Sequence, residues 1–94
     1  MNVVWPTSTD LTNALLRVLA RKGEPLNVAV LDQEVIKEIQ LTEAQLQAKR
    51  SGNRTEIEYR LAWIRTKAKQ NGFITRESTR VWKITEKGIE QIKF

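Results

Sequence analysis

The sequence contains no cysteine and no histidine. The missing cysteines exclude a disulfide framework, and without either residue type the usual zinc ligands are lacking, so packing must stabilise the fold. No apolar run approaches the roughly 20 residues that span a bilayer, and the N-terminus lacks the basic and apolar regions of a signal peptide. We therefore expect a soluble, cytoplasmic protein without metal or cofactor.

Recognisable catalytic motifs are also missing. The sequence has no glycine-rich nucleotide-binding loop, and no acid pair followed by a lysine at the spacing found in metal-dependent nucleases. Its 94 residues fall in the usual range for one domain, and no proline-, glycine- or serine-rich tract divides them. These absences predict a single non-enzymatic domain over residues 1–94.

Positive charge is concentrated in the second half of the chain. Residues 1–48 carry four Lys and Arg against six Asp and Glu, whereas residues 49–87 carry eleven against four. The formal net charge is +5. Such an asymmetry is typical of a surface that faces a polyanion, although a solvated basic face gives the same pattern.

Two helices are predicted in the first half. Apolar residues at helical spacing indicate a helix over Asp10–Lys22, with Thr9 or Asp10 as its N-cap and Gly23 as its stop. Residues 25–27 are extended enough for one short strand. A second helix is predicted over Val28–Ile39, with an acidic outer side.

A third long helix follows an irregular connection. Thr42 and Gln45 have capping-box spacing, which predicts one or two helical turns before the chain loosens at Lys49–Asn53. Thr55 and Glu58 repeat that spacing, and the helix they open ends at Asn71 and Gly72. Its predicted buried stripe is Ile57, Leu61, Ile64 and Ala68. Its predicted outer or flanking surface is Thr55, Tyr59, Ala62, Trp63 and Thr66.

Beyond Gly72 the apolar residues recur about every 2 residues, as in a strand, instead of every 3.6 residues, as in a helix. Residues 73–76 and 80–84 are predicted strands joined by a wing over 77–79, with Trp82 in the core. A last short helix over 86–92 is predicted to close the core with Ile89 and Ile92. The order predicts an α+β, mainly helical fold: a winged helix with a small β-hairpin wing and a short C-terminal helix.

In helix-turn-helix proteins the second helix of the motif enters the major groove of DNA, and nearby Arg and Lys hold the phosphates. The third long helix takes that place here. Arg60 and Lys67 border the buried stripe and either bind DNA or merely cover the core. Trp63 is predicted to pack against the hairpin. The candidate DNA-binding residues are Lys49, Arg50, Ser51, Asn53, Arg54, Thr55, Tyr59, Arg60, Ala62, Thr66, Arg76 and Arg80.

The chain resembles the N-terminal winged-helix domain of Mrr-type restriction endonucleases, which cleave modified DNA. The resemblance is carried by WPTSTDLTNALLRVLA, SGNRTEIEYRLAWIRTKAKQNGFI and RVWKITEKGIEQI, with LTEAQLQAKRSG at the family's variable linker. Arg60, Trp63 and Arg65 are the most specific part. The resemblance implies a module that recognises double-stranded DNA, with or without modified bases, ahead of a separate nuclease domain that these residues lack. The chain is then a fragment of a larger enzyme or a freestanding relative.

Other interpretations stay open. A winged-helix transcription regulator or replication factor would bind DNA without any nuclease. A protein-interaction domain would instead dock on a partner, or form a homodimer, through Tyr59 and Trp63. Within the DNA-binding interpretation, Tyr59 or Ala62 could sense a methyl group on cytosine, which occupies the major groove much as the thymine methyl does.

Overall fold

The computed structural model describes residues 5–52 and 54–93, and in them three long helices, two short helices and a three-stranded antiparallel sheet form a winged helix. The sheet order is β1-β5-β4, and β2 pairs with β3 in a separate ribbon. This arrangement confirms the predicted fold class. The helices are α1 Ser8–Lys22, α2 Val28–Ile39, α3 Glu43–Gln47, α4 Glu56–Gln70 and α5 Glu86–Gln91. The strands are β1 Leu26–Asn27, β2 Lys49–Ser51, β3 Arg54–Thr55, β4 Ile74–Ser78 and β5 Val81–Ile84.

Local signals set most of the helix ends. The capping boxes predicted at Thr42 and Thr55 are both present, and Gly23 ends α1 in the left-handed conformation with φ 69°. The predicted N-cap of α1 was wrong. Thr7 caps it instead, because its hydroxyl accepts from the Asp10 amide at 3.1 Å while the Asp10 carboxylate accepts from the Thr7 amide. A capping box is stronger than either single cap, so the helix starts earlier.

The connection between α3 and α4 is ordered, whereas the sequence predicted a loose segment. Lys49 pairs with Thr55 and Ser51 with Arg54, and the Glu56 amide donates to the Ala48 carbonyl at 2.9 Å. We call β2 and β3 together the basic ribbon. Asn53, a predicted DNA-binding residue, lies outside the described residues, as does the side chain of Ser51.

The core surrounds α1, which packs against α2, α4, α5 and β5. The predicted buried stripe of α4 is confirmed, and Trp82 is half-buried at the edge of the core rather than at its centre. The buried apolar residues of the described chain are Leu11, Ala14, Leu15, Leu16, Val18, Leu19, Leu26, Leu31, Val35, Ile57, Leu61, Ile64, Ala68 and Ile74.

The C-terminal end differs from prediction in two places. The β4–β5 hairpin turns at Thr79 and Arg80 rather than over 77–79, since Ser78 already pairs with Val81. Ile89 is 40% exposed and does not close the core, because α5 is short and turns Gly88 rather than Ile89 inward. Within the described residues, every helix is too short or too polar to cross a membrane.

Candidate nucleic-acid interface

The side of α4 opposite its buried stripe forms a shallow depression. It has a volume of about 200 Å³ and is lined by Arg54, Tyr59, Ala62, Trp63 and Thr66. Four of these five residues are predicted DNA-binding residues. Helical spacing brings the last four together, since residues three and four apart lie on one face. The strand β3 adds Arg54 at the edge of that face.

Trp63 lies on the outer surface of α4, as its helical spacing predicted, but it is not covered by the hairpin. Its side chain is 54% exposed, whereas packing against the β4–β5 hairpin was predicted. The stripe that α4 buries leaves Trp63 turned away from the core. A tryptophan this exposed on a small domain indicates an interaction surface.

Tyr59 lies under two cations of the basic ribbon. The guanidinium carbon of Arg50 lies 4.0 Å from the centroid of the Tyr59 ring, and that of Arg54 lies 5.7 Å from it. Cation–π contacts of this kind are worth about 0.5–1 kcal/mol at exposed sites. They hold both arginines beside the N-terminus of α4 instead of leaving them to extend into solvent.

Glu56, which the sequence reasoning did not single out, connects two predicted DNA-binding arginines. Its carboxylate accepts from Arg60 Nε at 2.7 Å and lies 3.5 Å from Arg50 Nη1. The Arg60 guanidinium also lies 4.8 Å from the centroid of a Trp5 ring. These contacts favour the packing role for Arg60. The i,i+4 spacing of Glu56 and Arg60 was a signal in the sequence that could have indicated this.

The N-terminal turn of α4 is capped by its own side chains. The Glu58 carboxylate accepts from the Thr55 amide at 3.0 Å, and the Thr55 hydroxyl accepts from the Glu58 amide at 3.2 Å. Hydrogen bonding from Thr55 lowers the pKa of Glu58 below its usual value. Thr55 is therefore engaged as the N-cap, and the cations of the basic ribbon are the groups left to meet an anion at this end.

The β4–β5 hairpin presents Arg76 and Arg80 on its surface, as predicted. Arg80 occupies the left-handed region with φ 61°, which non-glycine residues rarely adopt. Its carbonyl oxygen accepts from the Val28 amide at 2.8 Å. The turn of the hairpin is thereby fixed beside the first turn of α2.

An ion pair between Asp32 and Arg65 joins α2 to α4. Both side chains are largely buried, with 22% and 16% of their surfaces exposed. Burial raises the pKa of Asp32 above its usual value, while the charge and hydrogen bond of Arg65 oppose that rise. This pair joins α4 to α2, whose first turn meets the hairpin turn. The contacts of Arg50 with Tyr59 and Glu56 place the basic ribbon beside the first turn of α4.

Cationic groups predominate around the exposed face of α4. Its polar groups are guanidinium and ammonium groups with scattered carboxylates, and the described part of the chain holds no group of three acidic residues that could bind a metal ion. Arg54 at the edge of the depression and Arg50 over Tyr59 place positive charge beside the apolar surface of α4.

Comparisons with known proteins complete the description. Neither the curated proteins nor the solved structures include a match to the chain. A family model, described as the Mrr N-terminal domain, matches residues 9–93 and so covers the basic ribbon, α4 and the β4–β5 hairpin together. The chain therefore belongs to the Mrr N-terminal domain family.

Proposed function

We propose that the chain is a duplex-DNA-binding module that inserts α4 into the major groove. The observation that carries the proposal is that the exposed face of α4 has Arg54 at its edge and lies beside the basic ribbon, where Arg50 lies 4.0 Å from the centroid of the Tyr59 ring. The basic ribbon then contacts the phosphate backbone on one side of α4, and the β4–β5 hairpin contacts the backbone or the adjacent minor groove on the other. Phosphate contacts of this kind fix the register of a helix on the duplex.

Family membership associates the chain with Mrr-type restriction systems. In that setting, we propose that the chain supplies DNA recognition and no catalysis of its own, and that any cleavage belongs to a separate nuclease domain. DNA with modified bases is the proposed target. A winged-helix regulator without a nuclease would bind DNA through the same surface. A nuclease fold encoded in the same or a neighbouring gene would distinguish the two.

The proposal predicts that DNA binding weakens as the salt concentration rises. Individual cations should each account for part of this dependence. Each neutralised phosphate contributes about 0.9 to the slope of log K against log salt concentration. Arg54→Ala and Arg80→Ala should each lower the slope by about one and weaken binding to all sequences alike. Fluorescence anisotropy of a labelled duplex over a series of salt concentrations measures both quantities.

Arg21→Ala is the matched control. Arg21 is exposed and carries the same charge, but it pairs with Glu38 between α1 and α2, away from α4. Its removal should leave the slope unchanged. An equal loss from Arg21→Ala and Arg54→Ala would mean that the chain binds DNA through its net charge alone, and the proposed orientation of α4 would then be wrong.

Arg80→Gly should change stability and binding in opposite directions. Glycine adopts a positive φ without steric cost, so the variant should gain about 0.5–1 kcal/mol of stability, after allowing for the greater entropy of the unfolded chain. It should bind DNA as weakly as Arg80→Ala, because it lacks the same guanidinium. Urea unfolding and the anisotropy assay give the two quantities. Unchanged binding would show that Arg80 serves the turn and not the DNA.

The exposure of Trp63 also favours a second candidate, a protein-interaction surface around Tyr59 and Trp63. An apolar contact of that kind depends little on salt, whereas phosphate contacts depend on it strongly. Analytical ultracentrifugation of the chain at low and high salt tests the homodimer form of this candidate. Self-association that persists at high salt and is lost in Trp63→Ala would favour it over DNA binding.

A further inference from the structure

We infer that the depression on α4 receives the C5-methyl group of a pyrimidine, and that Trp63 is the side chain that detects it. The inference rests on the proposed duplex binding and names the chemical group that the helix reads. The sequence-based hypothesis assigned methyl sensing to Tyr59 or Ala62, with Trp63 packed against the hairpin. The exposure of Trp63 changes that assignment.

The lining of the depression combines the polar groups of Arg54 and of the Tyr59 hydroxyl with apolar surface. Thr66 Oγ1 donates to the Ala62 carbonyl oxygen at 3.1 Å, so its hydroxyl already has a partner within the helix. The methyl groups of Ala62 and Thr66 then form the lining together with the rings of Tyr59 and Trp63. Arg54 is the single charged residue at the edge.

The two aromatic rings are not equally available. The Tyr59 ring is covered by guanidinium groups at 4.0 and 5.7 Å, which fixes it as a support for Arg50 and Arg54. The Trp63 side chain is 54% exposed. Trp63 is therefore the larger free apolar surface beside Ala62 and Thr66.

An intact duplex limits what such a surface can contact. In the major groove only the edges of the bases are accessible, and their polar atoms require hydrogen-bond donors or acceptors. The apolar group on these edges is the methyl on C5 of thymine, or of a cytosine methylated at the same carbon. Arg54 at the edge of the depression and Arg50 over the Tyr59 ring supply positive charge that complements phosphates. This charge favours DNA over an apolar protein partner.

A methyl-deletion scan tests the inference. The tightest-binding duplex is first selected from libraries that contain thymine with either cytosine or 5-methylcytosine. Each thymidine is then replaced in turn by deoxyuridine, and each 5-methylcytosine by cytosine. Binding is measured at one fixed salt concentration for the unmodified chain, Trp63→Ala and Trp63→Phe. Val30→Ala is the matched control, because Val30 is 46% exposed on α2 and does not line the depression.

For the unmodified chain and for Val30→Ala, removing the methyl group at one or two positions of the duplex should lower the affinity about fourfold. This is the effect expected for one buried methyl group. For Trp63→Ala, removing a methyl group should not change the affinity at any position. For Trp63→Phe, most of the fourfold effect should remain. Losses of affinity at thymidines would show that Trp63 contributes to recognition of the DNA sequence. Losses at 5-methylcytosines would show that it recognises a modified base.

A scan without position-dependent losses, or one that is the same in Trp63→Ala, would overturn the inference and leave duplex binding standing. A scan without losses combined with self-association that Trp63→Ala abolishes would assign the depression to a second copy of the chain. Failure to bind any duplex would overturn the proposed function and this inference with it.

Discussion

Gly88→Ala should lower the free energy of unfolding by about 3 kcal/mol, although alanine is the better helix former by about 1 kcal/mol. A Cβ at position 88 would lie 2.2 Å from the carbonyl oxygen of Phe73 and 2.7 Å from Cγ1 of Ile84. The Phe73 oxygen belongs to the backbone and already accepts from the Thr85 amide at 3.0 Å, so it cannot move aside cheaply. We expect α5 to be displaced from the end of the sheet.

Urea unfolding followed by circular dichroism measures this loss. Glu90→Ala is the control, since Glu90 is an exposed residue of the same helix and pairs only at 3.7 Å with Lys93. It should change stability by less than about 0.5 kcal/mol. If Gly88→Ala were as stable as the unmodified chain, the close packing of α5 against the start of β4 would be wrong.

Arg65→Met should cost about 2 kcal/mol at neutral pH, because it leaves the Asp32 carboxylate largely buried without its counter-charge. Burial already raises the pKa of Asp32 from 3.8, and the loss of Arg65 removes the groups that oppose the rise. A carboxyl whose pKa is raised by folding penalises the folded state above that pKa. The penalty disappears as the pH falls towards 3.8, where the carboxyl is protonated in both states.

The double variant Asp32→Leu with Arg65→Met separates the charge from the packing. An apolar pair of similar volume often matches a buried ion pair, so we expect stability within about 1 kcal/mol of the unmodified chain. Arg21→Met, which breaks an exposed pair with Glu38, should cost less than about 1 kcal/mol. If Arg65→Met behaved like Arg21→Met, with no dependence on pH, the pair would not hold α2 against α4.

Much of the fold could be predicted because its signals are local. The capping boxes at Thr42 and Thr55, the stop at Gly23 and the buried stripe of α4 each depend on residues within about two turns of one another. The change of apolar period after Gly72 likewise located the hairpin. Local signals sufficed even for the start of α1, where the capping pair Thr7 and Asp10 was present in the sequence and a weaker alternative was preferred.

The candidate site was harder to predict because its contacts join distant parts of the chain. Arg60 lies against Trp5 and Arg65 pairs with Asp32, and no periodicity within α4 indicates either partner. Composition predicted a loose connection at Lys49–Asn53, whereas backbone pairing makes it a ribbon that holds Arg50 over Tyr59. The prediction for Trp63 failed for a different reason. The average burial of tryptophan suggested a packed side chain, although the helical spacing of α4 had already placed Trp63 on the outer surface.

The sequence alone determined the order of the elements, the buried stripe of α4 and the excess of positive charge in the second half of the chain. Short-range hydrogen bonds and apolar spacing encode the first two, and composition encodes the third. Only the tertiary structure decided which cations pair within the domain and that the hairpin leaves Trp63 uncovered. Those properties depend on the packing of α4 between α1, α2 and the two hairpins, which leaves Trp63 in solvent and engages Arg60 and Arg65 within the domain.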